Sequence, residues 1–244
     1  RFLNTAGWEA KMIRSMRSLL AFFVALFALV FTGTVAAADL SGITSKEAVT
    51  ALRTTLSKGA DAAVGSLGKA DGFLGNPAVR IKLPEYLENS KGLLKMVGMG
   101  SQLDQMEISM NRAAEAAVPQ AKAVLKKTIQ NMTVEDAKQV LSGGDTAVTD
   151  FFRSKSQADL YTQLLPIVKG KTAQVGLAQQ YNALAEKGSR FGLVKAEDAN
   201  LEGYVTNKAL DALFLMVAEE EKAIRANPVA AGSAVLKKVF GSLK

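Results

Sequence analysis

The chain has 244 residues, of which 30 are Lys or Arg, 23 are Asp or Glu and 48% are apolar, with no Cys and no His. Without Cys there is no disulfide framework, thiol nucleophile or thiolate metal site; without His the common zinc and haem ligands, the Ser-His-Asp triad and the carboxylate-histidine di-iron site are excluded. The formal charge of +7 comes without Arg-rich runs or interleaved aromatics, so nucleic acid is not an expected partner.

Residues 1–11, RFLNTAGWEAK, share no pattern with the rest of the chain and read as an upstream or non-native extension. From Met12 or Met16, Arg14 and Arg17 make a positive start, Leu19 to Phe31 an unbroken apolar stretch, and Thr32 to Ala38 a small-residue ending. That order predicts a secretory signal peptide over 12–38, cut after Ala38. The competing reading is an N-terminal membrane anchor, because Leu19 to Ala38 carries no charge over a length that just spans a bilayer. Residues 39–244 are then one domain, periplasmic or secreted, with no stable membrane insertion once the leader is gone.

Thr44-Ser45-Lys46-Glu47 has the form of a capping box, and Ala48, Leu52, Leu56, Ala60 and Ala63 recur at helical spacing toward Leu67, with Gly68 as the stop. The next stretch, KADGFLGNPAVRIKLP, does not look helical. Val79 to Leu83 alternates for five residues, which predicts an extended strap or edge strand. Pro84 suits the first turn of a helix over Glu85 to Val97, stopped by Gly98 and Gly100.

The longest periodic stretch runs from Ser101 to Ile129, with Ser101 and Asp104 as its capping pair. Leu103, Met106, Met110, Ala113, Ala117, Ala121, Val124 and Thr128 form a core row lined by alanine in its middle, where a partner helix can come close. A second row, Asp104, Ile108, Asn111, Glu115, Val118 and Lys122, alternates polar with apolar, as if Asn111 and Glu115 pointed at another helix. Pro119 should kink or break the helix, since it removes one amide and crowds the Glu115 carbonyl.

Thr133 and Asp136 predict the cap of a short helix ending at Gly143-Gly144. Asp145 opens another through Arg153, Ser156 and Asp159 restart the chain, Pro166 and Gly170 bend it, and a further helix covers Thr172 to Lys187 before a loop at Ser189 to Lys195. The last long helix spans about Asp198 to Arg225. On its apolar row of Leu210, Leu213, Phe214, Val217 and Ile224, one place is held by Glu220 or Glu221, with Arg225 one turn after Glu221. Asn227-Pro228 ends it and opens a terminal helix through Phe240. About eight helices and no βαβ alternation make the class all-α. AVLKK occurs at Ala123 to Lys127 and again at Ala234 to Lys238, but the flanks do not match and no repeat is inferred.

The candidate site is a polar set: Asn111, Arg112, Glu115, Thr149, Arg153, Glu220, Glu221 and Arg225. Gathered in one pocket, two carboxylates with pKa values pushed apart could work as acid and base while the arginines hold an anion. The reading favoured over it is a buried ion-pair network that fixes helix register and does no chemistry. Met96, Met99, Met106 and Met110 could offer thioethers to Cu(I), but two of them lie on the core row, where methionine fills space. Gly170-Lys171-Thr172 lacks the leading glycine and preceding strand of a phosphate loop, and neither Asp71-Gly72 nor SGGDTAVTD has calcium-loop spacing. No metal and no cofactor is called for.

Three stretches, KGADAAVGSLGKADGFLGNPAVRIKLPEYL, MNRAAEAAVPQAKAVLKKTIQNMTVEDAKQVLSGGDTAVTDFFR and YVTNKALDALFLMVAEEEKAIRANP, with the terminal VLKKVFG, together resemble a bacterial family named only as the domain of unknown function 4197. The resemblance implies an exported, mostly helical envelope protein, and no activity comes with it. The expectation is a protein that binds, without catalysis, an envelope partner protein or an apolar small molecule. The alternatives are a carboxylate-dependent hydrolase of an envelope glycan, using Glu115 with Glu220 or Glu221, and a structural or assembly protein.

Overall fold

The structure is a computed structural model that describes residues 45–174, Gln179, Tyr181, Asn182, Ala185, Arg190 and residues 200–227. The chain divides into two units, Arg1–Asp39 and Leu40–Lys244, and all described residues belong to the second. The expected leader, the Thr44 cap, the helix over 172–187, the loop at 189–195 and the terminal helix lie wholly or largely outside them.

Every regular element among the described residues is a helix: α1 Ser45–Leu67, α2 Glu85–Met96, α3 Gly100–Ala117, a 3₁₀ turn Val118–Gln120, α4 Ala121–Gln130, α5 Val134–Ser142, α6 Ala147–Thr172 and α7 Leu201–Ala226. None of the described helices is long and apolar enough to cross a membrane. The core forms where α6 packs along α7 and α3, with α1 laid over α4 and α7. Leu52, Leu67, Met110, Leu125, Phe152, Leu160, Leu164 and Phe214 are sealed from solvent there. α2 stands apart: it packs on α3 and buries no side chain fully.

Pro119 acts as expected. α3 stops at Ala117, and α4 starts at Ala121 after the 3₁₀ turn. Past the 3₁₀ turn the core row shifts by one residue: Leu125 and Ile129 are buried, while Val124 and Thr128, expected on it, are only half-buried. Gly68 passes so close to the kink that an added Cβ would lie 2.9 Å from Pro119 Cγ. α2 ends in a Schellman motif, with Gly98 at φ +82, Met99 N–H donating to Leu94 O at 2.9 Å and Gly98 N–H to Lys95 O at 3.1 Å.

Several expected boundaries are corrected. Pro84 is the residue before α2 and not in its first turn. α3 begins at Gly100 behind Met99 with no side-chain cap, so Ser101 and Asp104 do not cap it. Ser156 restarts nothing: it is buried inside the continuous α6, where its hydroxyl donates to Phe152 O at 2.6 Å. Val79 closes a turn on Asn76 O, residues 80–83 form a strap without regular structure, and no strand pairs with them among the described residues. α5, by contrast, has the expected capping box, with Asp136 N–H donating to Thr133 Oγ1 at 3.1 Å and Thr133 N–H to Asp136 Oδ2 at 2.9 Å.

Candidate functional site

Glu107, Asn111 and Glu115 succeed one another at four-residue steps on α3, which stacks them on one face of the helix. All three are buried, and all three reach the non-helical segment between α1 and α2. Glu115 accepts the N–H groups of Phe73 and Leu74, both at 3.1 Å on Oε1, while Arg112 Nη1 donates to its other oxygen at 2.7 Å. Arg112 also reaches Asp71 Oδ1 at 2.8 Å, holding a residue with φ of 61 in the left-handed region. Asn111 pairs with Ile81 as a neighbouring strand would: its Oδ1 accepts Ile81 N–H at 2.9 Å and its Nδ2 donates to Ile81 O at 2.8 Å. Glu107 receives Arg80 Nε at 2.8 Å and stands 3.5 Å from Lys91 Nζ. Burial alone would lower the Lys91 ammonium pKa, but Glu88 and Glu107 outweigh it and hold it above its ordinary value.

The second row of α3 therefore points at a loop and a strap, not at another helix. A loop has no ladder of its own, so its amides must be met by something else. Here Asn111 and Glu115 meet the amides of Ile81, Phe73 and Leu74, and Glu107, one turn earlier, takes the Arg80 side chain. Glu107 is absent from the sequence-derived set, although its four-residue spacing from Asn111 was the signal that could have found it.

The other buried carboxylate closes a helix end. The first turn of α6 leaves N–H groups without helical partners, and Thr146, its N-cap, offers no side-chain cap. Glu221 comes from α7 to fill that place, accepting Val148 N–H at 3.0 Å, Thr149 N–H at 3.1 Å and the Thr149 hydroxyl at 3.1 Å. Arg225, one turn on, donates to Glu221 Oε1 from Nη2 at 2.9 Å and from Nε at 3.1 Å, and also reaches Val140 O at 3.3 Å. Of the two carboxylates that could interrupt the apolar row of α7, Glu221 is the buried one, and Glu220 is half-buried. A pocket of about 20 Å³ beside them, lined by Thr55, Phe152, Val217 and Glu220 among others, has room for about one water.

The candidate residues thus fall into separate groups. Asn111, Arg112 and Glu115 tie down the segment from 71 to 81; Thr149, Glu221 and Arg225 join α5, α6 and α7; Glu115 and Glu221 share no hydrogen-bond partner among the described residues. Arg153 joins neither: its guanidinium lies 4.5 Å over the Phe214 ring, with Nη1 3.6 Å from Asp211. The methionines are also dispersed, with Met106 and Met110 in the core and Met96 84% exposed. Gly170 to Thr172 lies within α6 and forms no loop.

A family model described as "Protein of unknown function (DUF4197)" matches residues 42–241. No curated protein and no solved structure matches the chain.

Proposed function

The chain belongs to the DUF4197 family of proteins of unknown function, and from that premise we propose that it works without covalent chemistry, by holding a partner protein on its helical surface. The observation that carries this is the occupation of its deep carboxylates. Glu115 and Glu221 each accept two backbone N–H groups and an arginine, so neither is free to take a proton from a substrate or give one to it. A glycan hydrolase needs two carboxylates facing one scissile bond, and these two serve different segments. The pocket beside Glu221 has room for about one water, too little for an apolar small molecule between those helices. An envelope location remains part of the proposal, supported by the signal-like order of residues 12–38 and by a family match that begins at residue 42.

Native mass spectrometry of the protein recovered from its source cells tests this. A bare chain, or a chain joined to a second polypeptide, is expected. A small mass excess that leaves on denaturation would overturn the proposal in favour of a ligand carrier. Release of saccharide from purified envelope glycan by the wild type but not by Glu115→Gln would overturn it in favour of the hydrolase.

A further inference from the structure

The strap at 80–83 has two edges, and α3 covers one of them. On that edge Ile81 exchanges both of its backbone groups with Asn111. Where a chain runs extended the next residue turns its N–H and C=O groups to the opposite side, and Lys82 turns its own away from α3, toward α7. Tyr204 of α7 confirms the direction, since its hydroxyl donates to Lys82 O at 3.1 Å. Arg80 N–H is taken by Asn76 O at 2.9 Å. Two groups remain. Arg80 C=O and Lys82 N–H have no hydrogen-bond partner among the described residues. Flanking Ile81 as they do, they are the acceptor and donor with which a strand receives one residue of a parallel neighbour.

These groups border a groove of about 360 Å³ between the strap and α7, lined by Val79, Lys82, Tyr204, Lys208, Ala212 and Leu215 among others. Leu215 is 42% exposed and gives it an apolar wall. Its charge is one-sided. Arg80 is matched by Glu107, and Asp211 stands beside Arg153, whereas Lys82 and Lys208 have no carboxylate within 4.0 Å among the described residues. Lys208 rests on the Tyr204 ring at 5.5 Å.

We propose that this groove binds an acidic, extended peptide segment of a partner protein, added as a short strand along residues 80–82 with its carboxylates at Lys82 and Lys208. Main-chain bonds supply the docking, and the two lysines select for acidic side chains. This rests on the proposed function and names the class of partner.

The test titrates the ¹⁵N-labelled chain with an acetylated heptapeptide of alternating Glu and Val. Saturable binding is expected, with the Lys82 amide among the largest shifts. A Lys82→Glu, Lys208→Glu variant should fold normally, since both side chains are exposed, and should weaken binding by about tenfold or more. N-methylation of the central peptide residues should abolish it, and a Lys-Val heptapeptide should not bind. No binding at millimolar peptide, equal binding by the charge-reversed variant, or equal binding of the N-methylated peptide would each overturn the proposal. A partner protein still recovered by native mass spectrometry would then show that only the groove assignment had failed. A small-molecule mass or glycan cleavage would remove the wider reading as well.

Discussion

Glu221→Gln keeps the shape of the buried side chain and removes its charge, so it isolates what the carboxylate does. One oxygen becomes an NH₂ group that must face Val148 N–H, the Thr149 N–H and hydroxyl, or the Arg225 guanidinium. Apart from the hydroxyl, which can also accept, these are donors, so at least one donor meets a donor whichever way the amide is turned. Arg225 loses its carboxylate while its side chain is only 16% exposed. Removing one member of a buried charge pair costs about 3–5 kcal/mol, and Arg225 keeps its bond to Val140 O, which argues for the lower end, about 3 kcal/mol. With a urea slope of about 2 kcal/mol per molar, the unfolding midpoint should fall by about 1.5 M. Urea unfolding monitored by far-ultraviolet circular dichroism measures this. Glu219→Gln, on the exposed side of the same helix, is the reference and should stay within about 0.5 kcal/mol of wild type. If Glu221→Gln unfolds at the reference midpoint, Glu221 does not cap α6.

Glu115→Gln should release the segment it anchors, so hydrogen exchange at Phe73 and Leu74 should speed up while α6 amides keep their protection. Asn111→Ala removes the strap's hydrogen-bond partner, and limited trypsin digestion should then cut after Arg80 and Lys82 faster than in wild type. Gly72→Ala would drive a Cβ into Leu67 O and within 2.6 Å of Ser66 O, both backbone atoms; a loss of about 2 kcal/mol in urea unfolding is expected. At the α5 cap, the Thr133 N–H and then its hydroxyl hold the Asp136 carboxyl below its ordinary pKa. A depressed folded-state pKa gives stability that is whole above the unfolded value and fades as pH falls through the folded one. The difference in Tm between wild type and Asp136→Asn should therefore be present at pH 7 and shrink below about pH 4.

Local signals read well from the sequence. The Thr133-Asp136 cap, the break at Pro119 and the stop at Gly68 each depend on residues within a few positions of one another, and each stands where expected. The Ser156 signal misled for a physical reason: a serine can also hide in a helix by donating to the carbonyl four residues back. Ser101 misled because α3 starts one residue earlier, at Gly100 behind Met99, so Ser101 already lies inside the helix. The oddity of Asn111 and Glu115 was visible, but their target was not. Nothing in a helical pattern says that the surface facing it is a loop, and Glu107 stands on neither of the two rows read along the helix. Glu221 was legible only as one of two carboxylates on an apolar row. Its role depends on the uncapped start of α6, 72 and 73 positions earlier in the chain.

That separation has a consequence during synthesis. The amides of Val148 and Thr149 leave the ribosome 73 and 72 residues before the carboxylate that receives them. At about 5–20 residues per second they wait about 4–15 s. Through that interval the first turn of α6, with Phe151 and Phe152 just behind it, has water or a chaperone as its only cap, and translational pausing between codons 149 and 221 lengthens the exposure.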